Sequence, residues 1–469
     1  MKPTALEVDY LIVGAGAMGM AFADTLIAET DATVAIVDRH DQPGGHWTVA
    51  YPFVRLHQPS ASYGVNSREL GSGMVDQDGW NAGLHELASA GEILDYFDQV
   101  MRKTLLPTGR VSYFPKSFYD GPDSQRPGLQ RFHSIVSGAR FEVTVKRRTV
   151  DATYMNVTVP AMAPPACEIA AGVRVITPNE LPNLYDRPSH YTVVGAGKTG
   201  IDACLWLLSH GTDPRDITWI TPRDSWLLNR AHSQPRDLGA KADAARFKAV
   251  ADAETIGDLF TRLEDIGQLL RLSPDIEPTA FRCATVSCAE LEQLRRIGGV
   301  VRQGRVKRIG ESAIELDQGT VPAEAGTLYI DCTANGLERR PKVPVFDGAR
   351  ITLQAVAPCQ QVFSAALAAH VEAGYADDDT RNALCEPSQH PDSALDWIRF
   401  HSDIQELTMR WAADPALVEW LNTCRLMSWR LPEFPPEERA ELLPVLQDML
   451  QEQKEKLQEL LHQANTAMN

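Results

Sequence analysis

No apolar run in this chain of 469 residues reaches the roughly 18 that a membrane-spanning helix requires, so a protein that acts in solution is expected. Positive charge is short as well: 45 Lys and Arg stand against 62 Asp and Glu, for a net charge of −17. A nucleic acid or an anionic membrane is therefore not an expected partner, and each Arg or Lys has to be read for its local role. There is no H-E-x-x-H and no G-x-S-x-G, so a zinc protease or a serine hydrolase lacks its signature and no metal site is expected. Nor is there a C-x-x-C. The eight cysteines, at 167, 204, 283, 288, 332, 359, 385 and 424, are scattered, and only Cys283 and Cys288 lie close together. Such usage fits structural thiols in a reducing cytosol. The apolar stretch from Leu11 to Ala28 is not expected to be a secretory leader, because Glu7 and Asp9 precede it and Asp24 and several glycines interrupt it. A cytoplasmic protein is expected.

What the chain does contain is one short pattern twice. Residues 12 to 21 read IVGAGAMGMA, and residues 193 to 202 read VVGAGKTGID. A glycine turn between an apolar strand and a helix cradles a pyrophosphate. The helix N–H groups and dipole favour an anion, and glycine lets it approach the backbone. In the first copy Gly14, Gly16 and Gly19 lead into a helix opened by Ala17 and Met18. The next strand, Thr33 to Val37, ends at Asp38 and Arg39, where an acid can accept ribose hydroxyls. In the second copy Gly195, Gly197 and Gly200 enclose Lys198 and Thr199, and the following strand ends in Thr221, Pro222 and Arg223. An arginine in place of the acid favours the 2′-phosphate of NADP. A P-loop would need glycine at position 192, which is Thr192, so an ATPase is disfavoured.

The loop after the first turn, PGGHWTVAYPFVRLHQPSASYGV from residue 43 to 65, supplies two glycines for close backbone approach and flat apolar walls in Trp47 and Tyr51. Here the chain resembles the flavin-containing monooxygenase family, within the class B flavoprotein monooxygenase superfamily. Gly44, Gly45 and Trp47 match its Gly-Gly-x-Trp, while Tyr51, Pro52, Arg55, Leu56, His57 and Pro59 match the segment that follows. The resemblance implies FAD on the first turn, with Gly45, His46 and Trp47 along the ribityl chain and flavin and Arg55, Leu56 and His57 near the isoalloxazine. It also implies NADPH on the second. The family's aromatic-x-Gly and His fingerprint before the second turn is missing: Pro178, Asn179, Glu180, Leu181 and Pro182 occupy its place, and His190 stands too close to the strand. Disulfide-reducing relatives of the fold keep paired cysteines after the first Gly-Gly or as C-x-x-C in the NADPH domain. Neither pair exists here, so cysteine chemistry is expected to be dispensable.

The fold class implied is α/β, with two Rossmann-like dinucleotide-binding domains, for FAD and NADPH, plus helical insertions and a helical C-terminal tail. The expected division is a first part of the FAD domain over 1–185 and an NADPH domain over 186–320 with a helical excursion at 230–297. The FAD domain returns over 321–380, resuming at TLYIDCTANG (327–336), and a helical region spans 381–469. Its last helix, near Glu437 to Gln463, reads as a solvated cap or an oligomer contact. The function implied is an NADPH-dependent FAD monooxygenase that uses O₂ to oxygenate a small organic substrate at nitrogen, sulfur or a ketone through a flavin hydroperoxide. Trp47, Arg55 and His57 are the candidates near the reacting ring, and substrate contacts are expected from 66–135, 225–290 and 385–435. Two alternatives stay open: an NADPH-linked reductase or dehydrogenase without a stable peroxyflavin, and a non-enzymatic nucleotide-binding regulatory protein.

Overall fold

A computed structural model describes residues 2–468, apart from 127, 236, 335, 358 and 428–435. Strand β1 (Thr4–Val13), helix α1 (Ala17–Glu29) and strand β2 (Val34–Val37) form the opening βαβ half, and β1 pairs with β2 in parallel from Tyr10 and Val34 onward. Helix α2 (Ala90–Val100) starts at a capping box in which the Ser89 side chain and Glu92 satisfy each other's backbone N–H. Its Ile93, Tyr96, Phe97 and Val100 are buried, as the helical spacing of apolar residues requires. Strands β3 (Val111–Phe114) and β4 (Arg140–Asp151) then join β2 and β1 respectively, both in parallel.

The second unit repeats that plan. Its strands are β5 (Val175–Ile176), β6 (His190–Val194), β7 (Ile217–Ile220), β10 (Gly299–Val301) and β11 (Thr327–Asp331), all parallel in the order β5-β11-β6-β7-β10. Helix α3 (Lys198–Ser209) follows β6 as α1 follows β1. The central strands are buried end to end, as parallel strands covered on both faces are, so β2 reads as an unbroken apolar run.

Two expectations about this unit are corrected. TLYID at 327–331 does not reopen the first domain: β11 lies beside β6, buried on both faces, and the chain re-enters the first sheet only at β12 (Arg350–Thr352), which pairs with β4. Asn335 of that stretch lies outside the described residues. The excursion at 230–297 is not purely helical either. Besides α4 (Asp237–Ala251) and α5 (Ile256–Asp265) it carries β9 (Ala280–Val286), which pairs with β8 (Ser225–Asn229). The AFRCATV run of β9 has strand composition, and β8 gives it an edge to pair with.

After β12 the chain forms α6 (Gln361–Gly374), packed on α1 beneath the first sheet, and then α7 (Ala394–Ala412) and α8 (Pro436–Met468). Ten residues of α6 are buried, so it is a core helix, which its Ala-rich sequence permits by letting it lie close to α1. Among the described residues no helix is long and apolar enough to cross a membrane.

Candidate active site

The two glycine turns are near copies in geometry. Gly14 and Gly195 adopt φ of +103° and +116°, left-handed values that favour glycine. Gly16 and Gly197 are the N-cap residues of α1 and α3, and no side chain caps either helix. A Cβ on Gly19 would lie 2.0 Å from the Gly14 carbonyl oxygen, and one on Gly200 would lie 2.0 Å from that of Gly195. The third glycine of each turn is therefore fixed by helix–strand contact. Each turn leaves helix N–H groups free to meet an anion.

The strand ends beside the turns differ. Asp38 is buried with its carboxylate folded back onto the first turn, accepting from Ala15 N at 2.5 Å and His40 N at 2.7 Å. Arg39 beside it is exposed. Thr221 at the end of β7 is buried, and its Oγ1 has no hydrogen-bond partner among the described residues. Arg223 meets both oxygens of Asp392 at 3.0 Å. Asp224, next to Arg223 in the sequence, is buried and neutralised by Arg302 at 2.7 and 3.1 Å. This strand end thus carries an unsatisfied hydroxyl at Thr221 and a part-exposed guanidinium at Arg223, donors suited to a phosphorylated ribose.

The loop from residue 43 to 65 runs from the first turn to the second. Gly44 and Gly45 have φ of +130° and +59°, and a Cβ on Gly45 would stand 2.9 Å from the Gly16 Cα, so the loop lies directly over the turn. Trp47 is buried and donates its indole N–H to the Tyr63 hydroxyl at 2.7 Å. Burial pushes His46 down to about 4, with His40 adding to the effect. Tyr51 crosses to the second domain, where its hydroxyl donates to Asp202 on α3 at 2.7 Å and meets the Thr199 side chain. Lys198 pairs with the same Asp202 oxygen. Asn179, from the stretch that replaces the family fingerprint, donates to the Val49 carbonyl at 3.1 Å.

Arg55, Leu56 and His57 part company. Arg55 is exposed and donates to the Leu87 carbonyl at 2.8 Å, and Leu56 is buried. His57 faces the second domain. Burial holds its ring well below the ordinary imidazole range, helped by the charges of Lys198 and Arg230, and the ring bonds the Cys283 backbone. Arg230 in turn donates to the His57 carbonyl at 3.2 Å. The loop is therefore joined to the second unit at two points, Tyr51 on Asp202 of α3 and the His57 carbonyl on Arg230.

Sequence reasoning missed what stands on the far side of His57. Cys283 forms a disulfide with Cys359, not a pair with Cys288, which remains a free thiol. The expectation of unpaired structural thiols is corrected for these two residues. Their separation of 76 positions gives no local signal, whereas folding brings the middle of β9 to the loop before α6. His390 Nε2 lies 3.8 Å from the Cys359 sulfur.

Comparison with known proteins follows this geometry. A profile for the NAD(P)-binding Rossmann-like domain matches residues 12–66. "Uncharacterized protein Rv2000" of Mycobacterium tuberculosis is 55% identical over 426 residues, covering 90% of this chain and 78% of that protein. The chain belongs to the family of this mycobacterial protein. A ferredoxin–NADP reductase of Salinispora tropica is 34% identical over 92 residues, 20% of this chain and 28% of the reductase. Among solved structures, an oxidized steroid monooxygenase bound to NADP aligns with 78% of this chain and 86% of its own, at 13% identity and a TM-score of 0.49.

Proposed function

We propose that the chain is an NADPH-dependent flavoprotein oxidoreductase, with FAD on the first turn and NADPH on the second, that oxygenates a small organic substrate at nitrogen, sulfur or a ketone with O₂. The observation that carries this reading is the pair of uncapped glycine turns served by one loop, tied to the second turn through Tyr51 and Asp202. The fit to both cofactors rests on that chain: Gly45 over Gly16, Trp47 and Tyr63 as flat walls, and the orphaned Thr221 hydroxyl and the Arg223 guanidinium just past the end of β7. When bound, the flavin supplies hydride acceptance and oxygen activation. The protein's own residues bind and orient. The α1 and α3 N–H groups hold the two pyrophosphates. Arg223, now on Asp392, would hold the 2′-phosphate. His57, held uncharged by burial and by neighbouring cations, offers hydrogen bonding without placing a further positive charge in the cleft. Tyr51 keeps its proton, since burial and Asp202 raise its pKa well above the ordinary value.

A second reading, an NADPH-linked reductase, is favoured by one observation: the Cys283–Cys359 disulfide lies against His57 and is an electron acceptor other than oxygen. The deciding experiment is a spectrum of the purified protein during anaerobic NADPH addition and then air, with amines, sulfides and ketones present. The oxygenase reading expects yellow protein, bleaching by NADPH, and an oxygenated product formed as O₂ is consumed. Release of all reducing equivalents as hydrogen peroxide or to a disulfide, with no product, selects the reductase, and a colourless protein that binds only NAD removes both. Arg223→Ala is expected to raise KM for NADPH about tenfold or more and to leave NADH nearly unaffected, because only the phosphorylated ribose meets the guanidinium.

A further inference from the structure

The disulfide has a setting that a structural cross-link does not need. It joins β9 of the second unit to the loop that opens α6 of the first, so it ties the two dinucleotide-binding units to each other. Both cysteines adopt left-handed backbone conformations at φ +54°, two of only four such non-glycine residues in the described chain. Both are partly exposed, unlike Cys204, Cys332, Cys385 and Cys424, which are buried and whose thiols burial pushes far up. The pair lies beside the loop from residue 43 to 65. His57 bonds the Cys283 backbone, and Gln360, next to Cys359, donates to the Gln58 side chain at 2.9 Å. His390 turns Nδ1 to the Pro391 carbonyl at 3.1 Å, which fixes the tautomer with the proton on Nδ1 and leaves the Nε2 lone pair facing the Cys359 sulfur.

We propose that Cys283 and Cys359 are a redox-active pair that accepts two electrons from reduced nicotinamide dinucleotide and, on opening, releases the covalent tie between the two units. This rests on reading the two turns as cofactor sites. In net terms NADPH gives two electrons and one proton, and solvent gives the second proton. The S–S bond breaks, two thiols form and NADP⁺ remains. His390 Nε2 holds or returns the proton at the Cys359 sulfur, so it controls how readily that thiol becomes the thiolate that recloses the bond. The reaction reverses when a disulfide substrate or another oxidant takes the electrons back through thiol exchange.

The test uses the protein as purified, with the cofactor it carries, kept anaerobic and divided into untreated, dithiothreitol-treated and NADPH-treated samples. Each is quenched with N-ethylmaleimide under denaturing conditions, and the Cys283 and Cys359 peptides are read by mass spectrometry. Metal content is measured on the untreated sample. The expected result is a linked, unlabelled pair in the untreated sample and full labelling of both cysteines after either reductant, with one NADPH consumed per pair. His390→Gln is expected to slow NADPH-dependent labelling at least about tenfold and to shift its pH profile, while labelling by dithiothreitol still goes to completion. If NADPH bleaches the flavin absorbance and both cysteines stay unlabelled, the proposal is overturned while the cofactor reading stands. If NADPH neither bleaches nor labels, the cofactor reading falls and the proposal with it. Free thiols in the untreated sample together with one bound metal ion per chain, lost in Cys283→Ser, would show a metal site built from Cys283, Cys359 and His390 instead.

Discussion

At the scale of single residues, the third glycine of each turn is held by contact with the carbonyl of the first, five positions earlier in the chain. A glycine in a strand–turn–helix obeys a local steric rule, so Gly14, Gly16 and Gly19 announce themselves in six positions, whereas Cys283 and Cys359 meet only after the chain has closed. The rule makes a sharp expectation. Gly200→Ala puts a methyl group where 2.0 Å separates it from the Gly195 oxygen, so either α3 shifts or the turn opens. A stability loss of about 1–3 kcal/mol is expected in denaturant unfolding, with NADPH affinity reduced and first-turn cofactor content retained. Loss of the first cofactor instead would show that the two turns do not act separately. Histidine burial gives a second expectation. His46 is pushed down to about 4 and His401 to about 3 by burial, against an ordinary value near 6.5. Above pH 6.5 these rings are neutral in both folded and unfolded chains. As pH falls from 6.5 toward 4 the unfolded chain takes up protons that the folded chain refuses, so stability declines across that window. The paired carboxylates act lower: Asp378, held near 2 chiefly by Arg148, begins to lose its contribution only below its ordinary 3.8. Thermal melts at pH 7.5 and 5 are expected to differ, and His46→Gln to narrow the difference. Equal melting temperatures would contradict the assignment.

At the scale of elements, long periodic helices were legible, and short strands that depend on a distant partner were not. Ile93, Tyr96, Phe97 and Val100 stand at helical spacing along α2, which a wider turn over Met101–Leu105 continues. The strand β9 was hidden inside a helical stretch because β8, its partner, is more than fifty residues earlier. The tail helix α8 was found but its setting was not. Its charge-rich sequence suggests a solvated cap, yet Leu450, Leu457 and Leu460 are buried, Leu457 and Leu460 in one cluster with Trp397 and Ile398 of α7 and Leu259 and Phe260 of α5. Gln453 also donates to the Phe247 carbonyl of α4 at 2.7 Å, and Lys454 pairs with Glu406 of α7 at 3.0 Å. One face of α8 therefore closes the excursion. Leu457→Ala is expected to cost about 2–5 kcal/mol in chemical denaturation, against a few tenths for an alanine on an exposed face. A cost in the lower range would restore the solvated-cap reading.

At the scale of the whole molecule, the repeated turn told that two nucleotide-binding units exist but not how they face one another, because side chains far apart in the sequence set that relation. The contacts between the units include hydrogen bonds from Tyr51 to Asp202, from Arg230 to the His57 carbonyl and from Ser287 to the Trp80 carbonyl at 2.5 Å, the packing of Phe53 on Trp206 at 5.5 Å between centroids, and the disulfide. Tyr51 is the one whose removal isolates alignment from binding. Its hydroxyl shares Asp202 with Lys198, so Tyr51→Phe leaves that carboxylate paired and its ring contact with Phe53, at 4.8 Å between centroids, intact. The loss to stability is then expected to stay near 1–2 kcal/mol, the cost of one buried hydrogen bond. The loss to function is expected to be larger in proportion. Without the bond, the loop over the first turn and the helix of the second sample more relative positions, and a misplacement of about 1 Å between reacting groups is enough to slow a transfer severely. NADPH-driven bleaching of the flavin should fall about tenfold, the equivalent of 1.4 kcal/mol in barrier, with cofactor content unchanged and chemical reduction by dithionite as fast as in the parent protein. Stopped-flow measurement of both reductions separates the causes. Equal slowing of the two would mean that the flavin site itself is damaged, and an unchanged NADPH rate would mean that Tyr51 plays no part in aligning the units.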